Sequence, residues 1–179
     1  GFVPGVEGCL EQSFLVEAAF EEARDSKDPK RQFIFSAFLD IQNAFGSLPH
    51  RSLVKILRHI GLEASFCDFV ECLYNDSRIE LRVGTTSCLP FTTSAGVRQG
   101  DPLSPILFDL VMEPVIRRVL ARCHPGFAIG GAALSICALA DDLALFAGSA
   151  ADLQMMVSES ESAARAIGFC FRPEKCCIV

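Results

Sequence analysis

Two adjacent carboxylates, Asp141 and Asp142, stand inside the apolar run ALADDLALF, Ala138 to Phe146. An unpaired buried carboxylate costs several kcal/mol unless it is protonated, paired or bound to a metal, so the run admits few folds. A solvated turn is the ordinary setting for an Asp-Asp pair. Such turns usually carry Gly, Asn or Pro, and the nearest here is Gly148. Leu139, Leu143 and Leu145 alternate with Ala140 and Ala144, which predicts a strand, a sharp bend and a second strand. A hairpin tip displaying carboxylates invites a divalent cation. Taken alone, the segment leaves the acidic turn and the metal site both open.

The 179 residues suffice for one substantial core, and the chain reads as one domain or part of one. Half of it is hydrophobic and 21% is charged, which excludes a disordered tail. No membrane span is expected, because the long uncharged stretch Pro125 to Ala140 is interrupted by Gly126, Gly130 and Gly131. GFVPGVEG has neither a basic nor an apolar leader region, so no signal peptide is expected. The missing initiator Met is expected of a segment from a longer chain. Nine cysteines without any C-x-x-C spacing read as small apolar residues of a reduced, intracellular protein. The net charge of −6 and pI near 5.1 argue against a strong phosphate-binding surface within the chain itself.

Helices are predicted at Glu11 to Arg24, with Phe14, Leu15, Ala18 and Ala19 on one face, and at Arg51 to Gly61, with Leu53, Val54, Ile56, Leu57 and Ile60 inward. Ser65 to Tyr74 is a short helix. Leu103 to Cys123 is a long one, with Leu107, Leu110, Val111, Val115 and Val119 at helical spacing. A further helix, Ala150 to Ile167, is closed by Gly168. FIFSAFLD, Phe33 to Asp40, reads as a buried strand ending in an acid. Arg78 to Thr93 reads as a hairpin turning at Gly84. Phe169 to Val179 is extended on both sides of a turn at Arg172-Pro173. Strands and helices interspersed with hairpins favour an α+β fold on a mixed or antiparallel sheet.

Three segments carry the chemistry when read together. FLDIQNAFGSLPH delivers Asp40 at a strand end, with Phe45 five residues later. GVRQGDPLSPILF is a Gly-bracketed loop with Arg98, Gln99, Gly100 and Asp101, running into a helix. LADD is the third. In this order they resemble the catalytic and substrate-binding blocks of reverse transcriptases of the non-LTR, LINE-type retrotransposon branch, with group II intron enzymes as more distant relatives. GFVPGVEGC is similar to the preceding finger segment, and GFCFRPEKCCIV to the following block with its late lysine.

The resemblance implies a polymerase palm, a ferredoxin-like antiparallel sheet with helices on one face, plus part of the fingers. Residues 1–32 would be a fingers segment and 33–179 mainly palm, in a single partial domain. The thumb and the N-terminal finger block would lie outside the chain. The implied activity is RNA-directed DNA synthesis, a nucleotidyl transfer of dNTPs to a primer 3′-hydroxyl. In-line attack on the α-phosphorus places anionic charge on entering and leaving oxygens, which two Mg²⁺ ions (or Mn²⁺) on hard oxygen ligands stabilise.

By resemblance, Asp40 and Asp141 are the metal ligands and Asp142 the supporting third carboxylate. Ile41, Phe45, Arg98, Gln99 and Gly100 form the substrate-binding set, with Phe45 beneath the incoming sugar as a bar to a 2′-hydroxyl. As a residue following a strand, Phe45 also reads as core, and Arg98 reads equally as a phosphate partner or a solvated side chain. Lys175 would protonate the pyrophosphate leaving group; the bland alternative is an exposed lysine. His50, His59 and His124 have no metal-spaced partners, and His50 suits the start of a helix.

Several positions depart from the family pattern. Gly46 stands where an acid is usual, Asn43 where a base is, Leu139 where an aromatic is, and Asp109 and Arg172 where Asn is common. None removes a ligand, yet Gly46 keeps open a second reading, a decayed palm retained as a binding or structural module. A palm-type nucleotidyl cyclase is a third, but its glycine-rich signature is missing and RQGDPLSP would be unexplained. The implied partners are an RNA template, a DNA primer or target, dNTPs and the rest of a polyprotein with a thumb and an endonuclease. The basic grip on nucleic acid would lie mainly in those other segments, which makes this piece alone a poor polymerase. The implied setting is the nucleus and cytoplasm, within a retrotransposon ribonucleoprotein.

Overall fold

The computed structural model describes residues 7–75, 77–123 and 126–179. In chain order the elements are α1 (Gly8–Asp25), a 3-10 turn (Pro29–Arg31), β1 (Phe35–Asp40), α2 (Ala44–Ser47), α3 (His50–His59) and α4 (Ala64–Asn75). Then come β2 (Arg78–Ile79), β3 (Arg82–Val83), β4 (Thr86–Ser87), β5 (Phe91–Thr92) and α5 (Leu103–Arg122). The chain closes with β6 (Phe127–Ile129), β7 (Ala132–Leu134), β8 (Ile136–Leu139), β9 (Asp142–Ala147), α6 (Ala150–Ile167) and β10 (Cys177–Ile178).

Four strands form one antiparallel sheet in the order β10-β1-β9-β8. Its register follows from side-chain alternation. Ala37 and Leu39 on β1 face Leu145 and Leu143 on β9, and all four are buried in the main core with Ala147. That face packs on α3 to α6, whose buried stripes include Leu53, Leu57, Leu107, Val111, Val115, Leu153 and Met156. The α3 and α5 positions are those expected from periodicity, with Ile60 and Leu110 partly buried at the margin.

The opposite face carries Phe146 and Cys137, which join Phe127, Leu134 and two alanines of α1, Ala19 and Ala23, in a second, smaller cluster. Of the α1 face expected from periodicity, Ala19 is buried and Ala18 half-buried. Phe14 and Leu15 are exposed, 62% and 48%, while the small residues turn inward. Short side chains let the helix approach β6 and β8, and Gln12 Nε2 donates to the Ala138 carbonyl oxygen at 2.7 Å to fix it there.

Two further expectations shift at the margins. Strand pairing begins at Phe35, opposite Ala147, and Phe33 lies outside it, largely exposed. The Arg78 to Thr93 hairpin forms as two short ladders, β2 with β5 and β3 with β4, and turns at Gly84. A further hairpin, β6–β7, turns at Gly130-Gly131, both at positive φ, and that glycine pair is its local signal.

At the end of α6, Gly168 adopts φ +97, and the amide of Phe169 returns to the Ala164 carbonyl oxygen at 2.9 Å. An added Cβ at Gly168 would come within 2.7 Å of Pro49 Cγ, so both the αL cap and the packing call for glycine. Among the described residues no helix is long and apolar enough to cross a membrane.

Candidate active site

Asp40 is the last residue of β1, one position beyond core residue Leu39, so the pleat turns it to the face opposite the main core. Its cross-strand partner is Asp142, the first residue of β9. Directly opposed residues project to one face with Cβ atoms about 4.5–5.5 Å apart, and like charges there repel. Asp141 sits beside them in the two-residue turn linking β8 to β9. That turn holds Ala140 at φ +52, a left-handed conformation costing an alanine about 1 kcal/mol. The strand, bend and strand expected from ALADDLALF are all present.

Electrostatics mark the spot. Partial burial, then Asp141, then Asp40 push the Asp142 carboxyl above the ordinary aspartate range, and Lys175 pulls it back. Asp142 is exposed overall, so the loss of hydration is incomplete. Oδ2 of Asp40 is buried without a hydrogen-bond partner. Arg172 Nε lies 3.9 Å from that oxygen and Lys175 Nζ 3.8 Å from Oδ1. Asp40 and Asp142 line a cleft of about 770 Å³ between α1 and the sheet, with Gln12, Phe38 and Leu139. A second cleft of equal volume, between α3 and α5, holds Asp109, whose carboxyl is raised by burial, but is remote from these carboxylates.

The donor set suits a divalent cation: hard oxygens, mutual repulsion that a cation relieves, and one buried oxygen without a donor. Among the described residues no group of three His, Cys, Asp or Glu is placed to hold a metal ion by itself.

Because its carboxyl is raised, Asp142 contributes stability only while protonated, below its unfolded pKa. That contribution is lost as pH rises through the folded pKa. Asp142→Asn should therefore raise the thermal midpoint of the protein in EDTA at neutral pH, and the gain should shrink in acid. Calorimetry across pH checks this; a lower midpoint at neutral pH would mean that the pairing with Lys175 outweighs the repulsion.

The other sequence candidates fall into two groups. Phe45 is half-buried, its ring 4.7 Å from that of Phe108 on α5. The core and substrate readings are therefore compatible: one face packs and part of the ring stays open. The loop with Gln99 and Gly100, both exposed, is stitched beside Phe45. The Val97 amide donates to the Phe45 carbonyl oxygen at 2.7 Å, and Gly96 to Leu48 at 2.8 Å. At Gly96, φ is +95 and a Cβ would meet the Gly46 carbonyl oxygen at 3.2 Å, so glycine allows this close approach. His50, at the start of α3 as expected, pins the same loop: its Nε2 donates to the Gly96 carbonyl oxygen at 2.9 Å and its ring stacks on Tyr74.

Two further candidates are held by other contacts. Ile41 is 2% exposed in the main core and bridges Phe171, so its side chain presents no surface to a substrate. Arg98 is exposed, and its guanidinium donates to the Leu73 carbonyl oxygen near the end of α4 at 2.9 Å. Arg172, named in sequence only as a departure, stands at Asp40 because Phe171 bridges Ile41; no local pattern announces this. Gly46 and Asn43 prove to be neighbours, since a Cβ at 46 would meet the Asn43 amide at 2.6 Å. His124 and Gly1 to Val6, the start of the expected fingers segment, lie outside the described residues.

Comparison with known proteins shows the family and the fold. The family described as reverse transcriptase (RNA-dependent DNA polymerase) matches residues 7–179. The Pol polyprotein of retrotransposable element R2 from Nasonia vitripennis is 35% identical over 170 residues, 95% of this chain and 16% of that protein. Its counterpart R2DM from Drosophila melanogaster is 34% identical over 176 residues, 98% of this chain and 16% of that protein. The chain thus spans about one-sixth of the length of these relatives. Apo telomerase from Candida tropicalis superposes with a TM-score of 0.73 at 12% identity, over 97% of this chain and 33% of that one. Telomerase from Candida albicans does so with 0.66 at 13% identity, over 97% and 30%. At such identities the likeness concerns the fold.

Proposed function

The chain belongs to the reverse transcriptase family, and from that premise we propose that it is the palm, with part of the fingers, of a retrotransposon RNA-directed DNA polymerase. The observation that carries the proposal is the register placing Asp40 directly opposite Asp142, with Asp141 in the adjoining turn, at the mouth of a cleft. In this reading residues 33–179 are mainly palm and 1–32 a fingers segment, whose helix α1 rests on β6 and β8.

Reverse transcriptases use divalent cations. Asp40 and Asp141 would hold two Mg²⁺ ions, replaceable by Mn²⁺, with Asp142 in support. Bound there, the ions would lower the charge barrier to attack of a primer 3′-hydroxyl on the α-phosphorus of a dNTP. The residues of the chain do the rest. Gln99 and Gly100 bind the nucleotide, Phe45 bars a 2′-hydroxyl, and Lys175 delivers a proton to the departing pyrophosphate. An RNA template and a DNA primer or target are the macromolecular partners. The remainder of a polyprotein, with thumb and endonuclease, would supply the basic grip that a chain of net charge −6 lacks. The setting is intracellular, nucleus and cytoplasm, within the ribonucleoprotein of the element.

The test is primer extension on an RNA template with Mg²⁺ and dNTPs, using the polyprotein that contains this chain. Template-dependent DNA product is expected. No product from a folded protein that still binds RNA would favour the decayed-palm reading. In the same assay Phe45→Ala should raise ribonucleotide use relative to dNTP use by roughly tenfold or more, the scale of steric discrimination in a pocket. An unchanged ratio would return Phe45 to a core role alone.

A further inference from the structure

Asp40 meets two cations from a single turn. β10 pairs Cys177 with Phe38 and Ile178 with Ala37, and Phe171 bridges Ile41, so the intervening residues 172–176 loop past Asp40. The Arg172 amide donates to the Asp40 carbonyl oxygen at 2.9 Å. The amides of Lys175 and Cys176 return to the Arg172 carbonyl oxygen at 3.0 and 3.2 Å, which coils the turn and aims both cationic side chains back at Asp40. One cation faces each carboxylate oxygen, Arg172 toward Oδ2 and Lys175 toward Oδ1, at 3.9 and 3.8 Å. Neither contact is a hydrogen bond. They act by charge, and charge is what a divalent cation would supply.

We infer that Arg172 and Lys175 form a counter-ion clamp on Asp40, and that Lys175 must release Oδ1 before that oxygen can ligate a metal. The inference rests on the polymerase reading above. Exposure distinguishes the two cations. The Lys175 side chain is 55% exposed on a flexible stem, whereas Arg172 is 28% exposed and lies 3.8 Å from Glu174 as well. Lys175 is therefore the one that leaves, and Arg172 stays at the buried Oδ2, where it holds the carboxylate orientation. Release from Asp40 also frees the Lys175 ammonium for the departing pyrophosphate, so metal loading and readiness of the proton donor are coupled. Without nucleotide, the clamp competes with metal and keeps affinity low.

Mn²⁺ binding to the purified protein without nucleotide, followed by electron paramagnetic resonance, tests this. Lys175→Met should bind Mn²⁺ roughly three- to fivefold more tightly, the scale of a partly exposed ion pair, with the gain falling as salt rises. Lys175→Arg, which keeps the charge, should remain near wild type. Arg172→Asn should tighten binding by less, since Glu174 already shares that cation. Unchanged or weaker binding in Lys175→Met, in a protein whose Asp40→Asn variant loses the site, overturns the clamp and leaves the polymerase reading standing. Mn²⁺ binding that is indifferent to Asp40→Asn overturns both.

Discussion

Asp141→Asn is expected to lower templated DNA synthesis by roughly 10³-fold or more, equivalent to about 4 kcal/mol of transition-state stabilisation. The substitution preserves shape and removes one negative charge from the turn beside Asp142. Burial is the main cause of the raised Asp142 carboxyl and the Asp141 charge adds to it; the substitution relieves that added repulsion, and the fold should be no less stable. Loss of activity in a protein that melts at or above the wild-type temperature can then be attributed to chemistry. Asp40→Asn should act alike, through the other strand of the pair. Primer extension, with thermal unfolding of the same preparations, decides the matter. Persistent synthesis in Asp141→Asn would remove the metal assignment, whatever the family.

Phe108→Ala should be the most destabilising of the substitutions considered, by about 3–5 kcal/mol. The ring is fully buried at the centre of the main core, 4.7 Å from Phe45 and 5.7 Å from Phe169. Its loss leaves a cavity that cannot collapse easily, because Phe45 is held by the Val97 amide and Phe169 by the αL cap of α6. A domain of this size loses roughly 2–4 °C per kcal/mol, so a midpoint about ten degrees lower is expected. Urea unfolding with an unchanged slope would identify lost stability as the cause. Because Phe45 stacks on this ring, discrimination against ribonucleotides should weaken in the same variant. A loss below about 1 kcal/mol would show that the neighbours close the gap.

Much of the fold is legible locally. The stripes of α3 and α5 were readable because a helix buries every third or fourth residue whatever it packs against. The Gly84 turn and the Gly168 stop were readable because positive φ selects glycine. Where several faces were possible, local pattern was an incomplete guide. On α1, Ala19 is buried as its spacing indicates, while Phe14 and Leu15 of the same expected face are exposed and close packing against β6 and β8 takes Ala19 with Ala23. Ile41 is adjacent to the catalytic candidate in sequence, yet the pleat buries it. The motif leaves two settings open for Arg98, and its hydrogen bond to Leu73 depends on where α4 ends.

By itself the sequence determined the chemistry available to the chain: three carboxylates, a late lysine, a glycine-bracketed loop, and apolar alternation able to support an antiparallel sheet. Tertiary structure alone decided that these groups meet. Asp40 opposes Asp142 because core residues Ala37 and Leu39 take their places against Leu145 and Leu143, and a slip of one residue would send Asp40 into the core. Likewise only the pairing of β10 with β1 brings Arg172 and Lys175 to the same carboxylate. Register is set by burial summed over distant segments, and no short stretch of chain contains that sum.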